Sequence, residues 1–154
     1  MADVRHWLMK SEEDEYSIDD LARDGKAPWT GVRNYEARNL MRDEMKPGDL
    51  ILYYHSNARP SGVAGIARVA SEPYPDHLQF DPDSPYHDAK ATEEEPRWFL
   101  VDVEFVEKFS RVVSLKEVKD NPDLQEMTLV KRMRLSVQPV EPEEFQIIRE
   151  MAGS

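Results

Sequence analysis

The sequence predicts an α+β fold: a curved mixed or antiparallel sheet, or a closed pseudo-β-barrel, with helices packed around it. Three observations lead there. The candidate elements run strand, helix, helix, hairpin, long loop, strand, short helix, strand, helix, which is not the regular alternation of a doubly wound sheet. Leu50-Ile51-Leu52-Tyr53-Tyr54-His55 is apolar at odd and even positions alike, so it reads as a central strand covered on both faces. The 154 residues, 40% hydrophobic, can close one good core and are too few for two comfortable ones, so a single domain over residues 1–154 is expected.

Each element has a local reason. In the first strand, around residues 6–10, Trp7, Met9 and Ser11 share one face while His6, Leu8 and Lys10 share the other. Ser17 stands at the N-cap of a short helix, Asp19 and Asp20 follow in its first turn where carboxylates favour the helix dipole, and Gly25 is placed to end it. Trp29-Thr30-Gly31-Val32-Arg33-Asn34-Tyr35 is a sharp turn leading into a helix: glycine permits positive φ, Asn34 can cap, and Ala37, Leu40, Met41 and Met45 recur at helical spacing. Lys46-Pro47-Gly48-Asp49 then turns the chain into the central strand. The strand returns over residues 63–70 as a hairpin partner, with Gly65 marking a bulge or a close backbone approach.

Residues 71–97, rich in Pro, Asp and Tyr and without period, form a long surface loop. Residues 98–106 alternate, with Phe99, Val101, Val103 and Phe105 toward the core and Trp98, Asp102 and Glu104 away from it. Ser114 and Glu117 have capping-box spacing for a short helix. Arg134-Leu135-Ser136-Val137-Gln138 alternates again, and Pro142 opens a last helix through Phe145, Ile148 and Met151.

Composition excludes several function classes. With a net charge of −11 the chain lacks the field of a non-specific polyphosphate binder, so any nucleic-acid contact must be local. The absence of cysteine excludes disulfides, thiol catalysis and Cys-based zinc sites. No apolar run approaches the roughly 20 residues that span a bilayer, and Met-Ala-Asp-Val-Arg lacks a signal-peptide core; no membrane partner and a cytoplasmic location are expected. No Gly-x-Ser-x-Gly elbow, P-loop or His-Glu-x-x-His stretch occurs. His55, His77 and His87 with Asp76, Asp81 and Asp88 are irregularly spaced for a metal site, and Ser11 and Ser56 have no neighbouring base in sequence. No catalytic residue, metal or cofactor is expected.

Binding of a flat polar ring fits better. Trp29, Trp98 and Tyr54 are candidate walls, since an aromatic face offers a stacked base on the order of 1–3 kcal/mol; the alternative for each is core packing. Asn34, Ser56, Asn57 and Ser136 can hydrogen-bond a ring edge. Lys131-Arg132-Met133-Arg134 with Arg33, Arg38 and Arg42 is a candidate basic patch on an acidic body, or a set of surface ion pairs.

These residues fall into motifs that resemble the EVE domain family. The resemblance is carried in order by Trp7-Leu8-Met9-Lys10-Ser11-Glu12, Trp29-Thr30-Gly31-Val32-Arg33-Asn34-Tyr35, Tyr54-His55-Ser56-Asn57, Gly62-Val63-Ala64-Gly65-Ile66-Ala67, Pro96-Arg97-Trp98-Phe99 and Arg134-Leu135-Ser136-Val137-Gln138-Pro139. It implies a PUA-like fold akin to the YTH and SRA readers. It also implies a non-catalytic module that flips a modified base, 5-methyl- or 5-hydroxymethylcytosine in DNA, into an aromatic-walled pocket. A modified-RNA reader is the alternative, and an enzyme on a nucleotide or small metabolite using loop His and Asp residues is a further one. Carried over by position, the pocket would draw on Ser11, Trp29, Asn34, Tyr54, Ser56 and Trp98, with Lys10, Arg33 and Arg134 near backbone phosphates. The chain departs from the family pattern at Glu13 and Ser61, where proline is frequent, and at Glu36, where glutamine is frequent and where a negative charge bears on phosphate affinity.

Overall fold

Helix caps and strand alternation set the chain into sixteen short segments, described by a computed structural model over residues 4–132 and 134–153. In chain order they are β1 (His6–Glu12), α1 (Ile18–Asp24), β2 (Lys26–Pro28) and α2 (Tyr35–Asn39), which continues as a wider helical turn over Leu40–Glu44. Next come β3 (Leu50–Ser56), β4 (Gly62–Val69), β5 (Tyr74–Pro75), a tight 3-10 turn at His77–Phe80, β6 (Phe99–Leu100) and β7 (Asp102–Ser114). The chain ends with α3 (Leu115–Asp120), a second 3-10 turn at Pro122–Leu124, α4 (Thr128–Lys131), β8 (Val137–Val140) and α5 (Pro142–Met151). Six strands form one mixed sheet in the order β2-β7-β4-β3-β1-β8, curled into a half-barrel, and β5 pairs with β6 beside it.

Alternation builds the core. β1 and β3 pair in parallel at the centre, Trp7 opposite Ile51 and Ser11 opposite His55. Trp7, Met9, Ile51 and Tyr53 enter one apolar cluster with residues of α1 and α2; Leu8, Leu52 and Tyr54 enter a second with residues of α3, α4 and α5. Both faces of the two central strands are therefore covered, as their continuous apolar sequence requires.

The caps are those expected. The Ser17 hydroxyl accepts from the Asp20 amide at 3.1 Å while the Asp20 carboxylate accepts from the Ser17 amide at 2.9 Å, and Gly25 ends α1 at φ +80°. Ser114 with Glu117 repeats the arrangement at α3 as expected, and α5 opens at Pro142 with a Glu141–Glu144 pair outside those expectations. Gly65 combines the two roles its position suggests: the register slips between Val63 and Gly65, and a Cβ there would lie 2.3 Å from the Glu107 carbonyl oxygen.

The region from residue 98 departs from the expected single strand. It breaks at Val101, so that β6 pairs with β5 and β7 starts afresh, running on through polar residues to Ser114. The break changes the alternation. Trp98, Leu100, Val101 and Val103 are buried, while Phe99 and Phe105 are only half-buried. β2 and α4 are too short to leave a periodic signal, and β8 starts at Val137, with Arg134 in an exposed turn before it. Met133 lies outside the described residues. No helix among the described residues is long and apolar enough to cross a membrane.

Candidate functional site

The turn after β2 folds the way it does because three side chains hold it. Trp29 donates its amide to the Val101 carbonyl at 3.0 Å, and its ring meets Tyr53 edge-on at 5.5 Å and 89°. Gly31 adopts φ +87° and gives its amide to Asp76 Oδ2 at 2.8 Å. Arg33 Nη1 reaches the same carboxylate oxygen at 3.1 Å, while its Nε and Nη2 both donate to the Tyr86 carbonyl, at 3.0 and 2.8 Å. Asp76 is 1% exposed and its other oxygen accepts the Leu78 amide at 2.9 Å, so this is a buried carboxylate engaged by two amides and a guanidinium. Tyr86 in turn lies on Gly31: a Cβ there would come 2.9 Å from Tyr86 Cζ.

Within the long 71–97 segment, which β5 already pairs to β6, one side-chain amide ties four backbone groups together. Buried Gln79 donates to the carbonyls of Asp76 and Trp98, both at 2.8 Å, and accepts from the amides of Arg97 and Trp98, both at 2.9 Å. A primary amide can do little more. The segment is thereby held as a wall.

Between this wall and the end of β1 lies a cavity of about 890 Å³, within the range of small-molecule and base sites. Lys10, Ser11 and Glu12 of β1, Tyr16, Asp24, Lys26, residues 29–33, Ser56, Ser136 and Tyr86 are among the residues around it. Three cations (Lys10, Lys26, Arg33) are matched by three carboxylates (Glu12, Glu15, Asp24), so the lining is polar without a net sign. Such a lining suits a neutral hydrogen-bonding ring better than a bare phosphate. Asp24 accepts from the Tyr16 hydroxyl at 2.7 Å, and burial followed by this bond pushes the Tyr16 phenol up to about 12, keeping it a neutral donor. Burial also holds Lys10 below the usual lysine range, with its ammonium 5.3 Å from the Tyr54 ring.

The expected site residues divide. Lys10, Ser11, Trp29, Arg33 and Ser56 come together around the cavity, with Ser136 beside them. Asn34 and Arg134 line a second cavity of about 260 Å³ with Lys131, Arg132 and Leu135. Asn34 has its carbonyl oxygen committed to capping α2, accepting from the Ala37 amide at 2.9 Å. Tyr54 and Trp98 are not among the residues around the large cavity. Alternation in β3 turns Tyr54 to the opposite face, and it is Tyr53 that meets Trp29. The break at Val101 directs Trp98 to Tyr35, with ring centroids 4.8 Å apart at 26°, and its indole donates to Asp88 Oδ2 at 2.8 Å. Asp76 and Asp88, once conceivable metal ligands, thus hold a turn and an indole; no group of three or more His, Asp or Glu among the described residues is placed to hold a metal ion. Tyr86 and Asp76 carry no sequence signal beyond their place in a long loop.

The departures from the family pattern have partners. Glu36 is held bidentately by Arg132, at 2.7 and 3.1 Å, which lowers the Glu36 pKa. Glu13 Oε2 lies 3.4 Å from His55 Nδ1. Ser61 bonds the amide and carbonyl of Ala58, both at 3.2 Å.

Comparison with known proteins gives a consistent picture. Residues 5–151 match the EVE domain. Thymocyte nuclear protein 1 of Homo sapiens is 40% identical over 162 residues, covering 93% of this chain and 72% of the relative. A hypothetical protein from Leishmania major has a similar structure at TM-score 0.94 and 48% identity, covering 98% of this chain and 96% of that one. Human THYN1 protein, solved in complex with 5-methylcytosine-containing DNA, matches at TM-score 0.92 and 38% identity over 97% of this chain and 98% of its own. The YTH domain of Zygosaccharomyces rouxii MRB1 matches at TM-score 0.56 with 16% identity, covering 99% of this chain and 91% of that one: a shared PUA-type fold.

Proposed function

This chain belongs to the EVE domain family, and on that premise we propose that it is a non-catalytic nucleic-acid-binding module. It takes one modified base, 5-methyl- or 5-hydroxymethylcytosine in DNA, out of the stack and into the cavity beside Trp29. The observation that carries this reading is the cavity itself: an aromatic floor, a second aromatic at Tyr86, and hydroxyls at Ser11, Ser56 and Ser136 around a polar space with balanced charge. The binding of 5-methylcytosine DNA by the human relative supports it.

In this reading the indole of Trp29 and the ring of Tyr86 supply the stacking faces, the three serines meet the ring edge, and Lys10, Arg33 and Arg134 lie toward the phosphates. Asn34, Tyr54 and Trp98 act one step removed: Asn34 caps α2, Trp98 packs in the wall against Tyr35, and Tyr54 lies under the Lys10 ammonium on the other face of the sheet. Flipping costs a few kcal/mol, so duplex affinity is modest. A buried methyl contributes about 0.8 kcal/mol, which gives a several-fold preference unless the cavity excludes competitors by shape.

The test is a titration of matched short DNA and RNA strands carrying cytosine, 5-methylcytosine, 5-hydroxymethylcytosine or N6-methyladenine at two salt concentrations. Trp29→Ala and Trp98→Ala are run beside the wild type, each checked for folding. A preference for the modified cytosines in DNA that disappears in folded Trp29→Ala is expected. Equal, weak, salt-sensitive binding to every strand, unchanged by Trp29→Ala, would overturn the reading.

A further inference from the structure

A second group of aromatic and cationic side chains lies just outside the cavity. Tyr35, the first residue of α2, is 51% exposed, yet its ring is not isolated: it lies against the buried Trp98 in a near-parallel stack. The Arg38 guanidinium sits 4.7 Å from the centre of the Tyr35 ring, and Arg97 Nη1 is 3.4 Å from its hydroxyl. Arg38 donates to the Asn39 side chain and the Arg97 carbonyl, and to no carboxylate among the described residues. Burial first, and then the like charges of Arg42 and Arg97, lower its pKa. On a chain of net charge −11 this is a local concentration of guanidinium groups around one exposed ring.

The group is continuous with the cavity. Arg33, which lines the cavity, has its guanidinium carbon 5.4 Å from the centre of the Trp98 ring, and Arg38 stands 5.9 Å from that ring. Trp98 and Arg33 are thus the partition between a recess and a shelf. An exposed tyrosine alone needs no explanation. A tyrosine backed by a fixed indole and flanked by guanidiniums is different, because aromatic faces and arginine planes are the groups on which unpaired bases stack.

We propose that Tyr35, with Arg38 and Arg97, is a stacking shelf for the nucleotide next to the one the cavity takes, so that the strand is bound unpaired at two successive positions. The proposal rests on the base-reader reading and adds to it a second contact. The ring of Tyr35 carries the neighbouring base, and the two guanidiniums meet its edge or its phosphate.

The experiment compares two ligands: a 5-methylcytosine mononucleotide, which can fill only the cavity, and a nine-nucleotide single strand with 5-methylcytosine at its centre. Wild type, Tyr35→Ala, Tyr35→Leu, Tyr35→Phe and Trp29→Ala are titrated with both. Tyr35→Leu keeps Trp98 covered and so guards against a change caused only by uncovering the indole. Tyr35→Ala and Tyr35→Leu are expected to weaken the nine-mer on the order of tenfold, leave the mononucleotide within twofold, and be rescued by Tyr35→Phe. Unchanged nine-mer affinity, or an equal loss for both ligands, overturns the shelf while leaving the cavity reading in place. Loss of the Trp29-dependence for the mononucleotide in the wild-type comparison would overturn the cavity reading itself.

Discussion

The Asp76 carboxylate and the Arg33 guanidinium form an ion pair at 3.1 Å, with the carboxylate side chain 1% exposed and the arginine 21%. Truncating the acid leaves the Gly31 and Leu78 amides without their acceptor and removes the carboxylate that Arg33 pairs with. Asp76→Ala should lower stability by roughly 2–4 kcal/mol, measured by denaturant unfolding. Asp76→Asn keeps one oxygen, enough for Gly31 and Arg33 or for Leu78 but not for both sides, and should lose less than Asp76→Ala. Both should weaken binding of the modified nine-mer more than any surface carboxylate change does.

Gly31 has positive φ and a ring directly over it, whereas Gly48, at φ +96°, has nothing within 4 Å of a built Cβ. The pair separates backbone strain from the clash. Both Gly31→Ala and Gly48→Ala should destabilise by about 1 kcal/mol or more. Only Gly31→Ala should also displace Tyr86 and weaken nucleotide binding, read by titration beside a thermal melt.

Glu36 occupies Arg132, so one of the two guanidiniums lining the smaller cavity is already paired. Glu36→Gln releases it for phosphate. Affinity for a single strand should rise at low salt, and the slope of log affinity against log salt should steepen by about 0.7. An unchanged slope would show that this face does not meet the strand.

His55 is buried with Nε2 accepting the Ile18 amide at 3.0 Å, a bond that only the unprotonated nitrogen can make. Burial holds its pKa below the usual histidine range against the opposing pull of Glu13, Asp19 and Asp20, and burial lowers His6 likewise against Asp49. The unfolded chain therefore takes up protons near the ordinary histidine pKa that the folded chain resists. Stability is full above that pKa and is lost as pH falls through and below it. The unfolding midpoint should drop between about pH 7.5 and about pH 5.5. His55→Gln, whose amide oxygen accepts from Ile18 at any pH, should flatten that slope; an unchanged slope would assign it to His6.

Much of the fold is legible in local chemistry. Ser17, Asn34, Ser114 and Pro142 open helices where their side chains say they should, and Gly65 marks the slip in the sheet. The site is legible where its residues sit in the turn that follows Trp29 or at strand ends, as Ser11, Arg33 and Ser56 do. Legibility fails where tertiary pairing decides. Trp98 reads as outward-facing by alternation, but β6 leaves the main sheet to pair with β5, and the side chain turns inward. Adjacent Tyr53 and Tyr54 are equivalent in sequence, and only the register against β1 determines which of them stands beside Trp29. Tyr86 reaches the cavity because Arg33, 53 positions away, donates to its carbonyl, and Gly31 donates to Asp76, 45 positions away, a route no local pattern records.

Gln79 closes the 71–97 segment on itself, and beyond it the tip has no tie to the sheet. Among the described residues, the hydrogen bonds of residues 89–95 run only among themselves and to Asp88. The wall and its tip are therefore mechanically separate: the inner part is set with the core, and the outer turns can be shortened, lengthened or recharged without disturbing a strand. That makes the tip an insertion point. A reporter fluorophore or an affinity tag grafted there would sit outside the residues that line the cavity, in the same segment as Tyr86, while the ring-binding surface kept its shape.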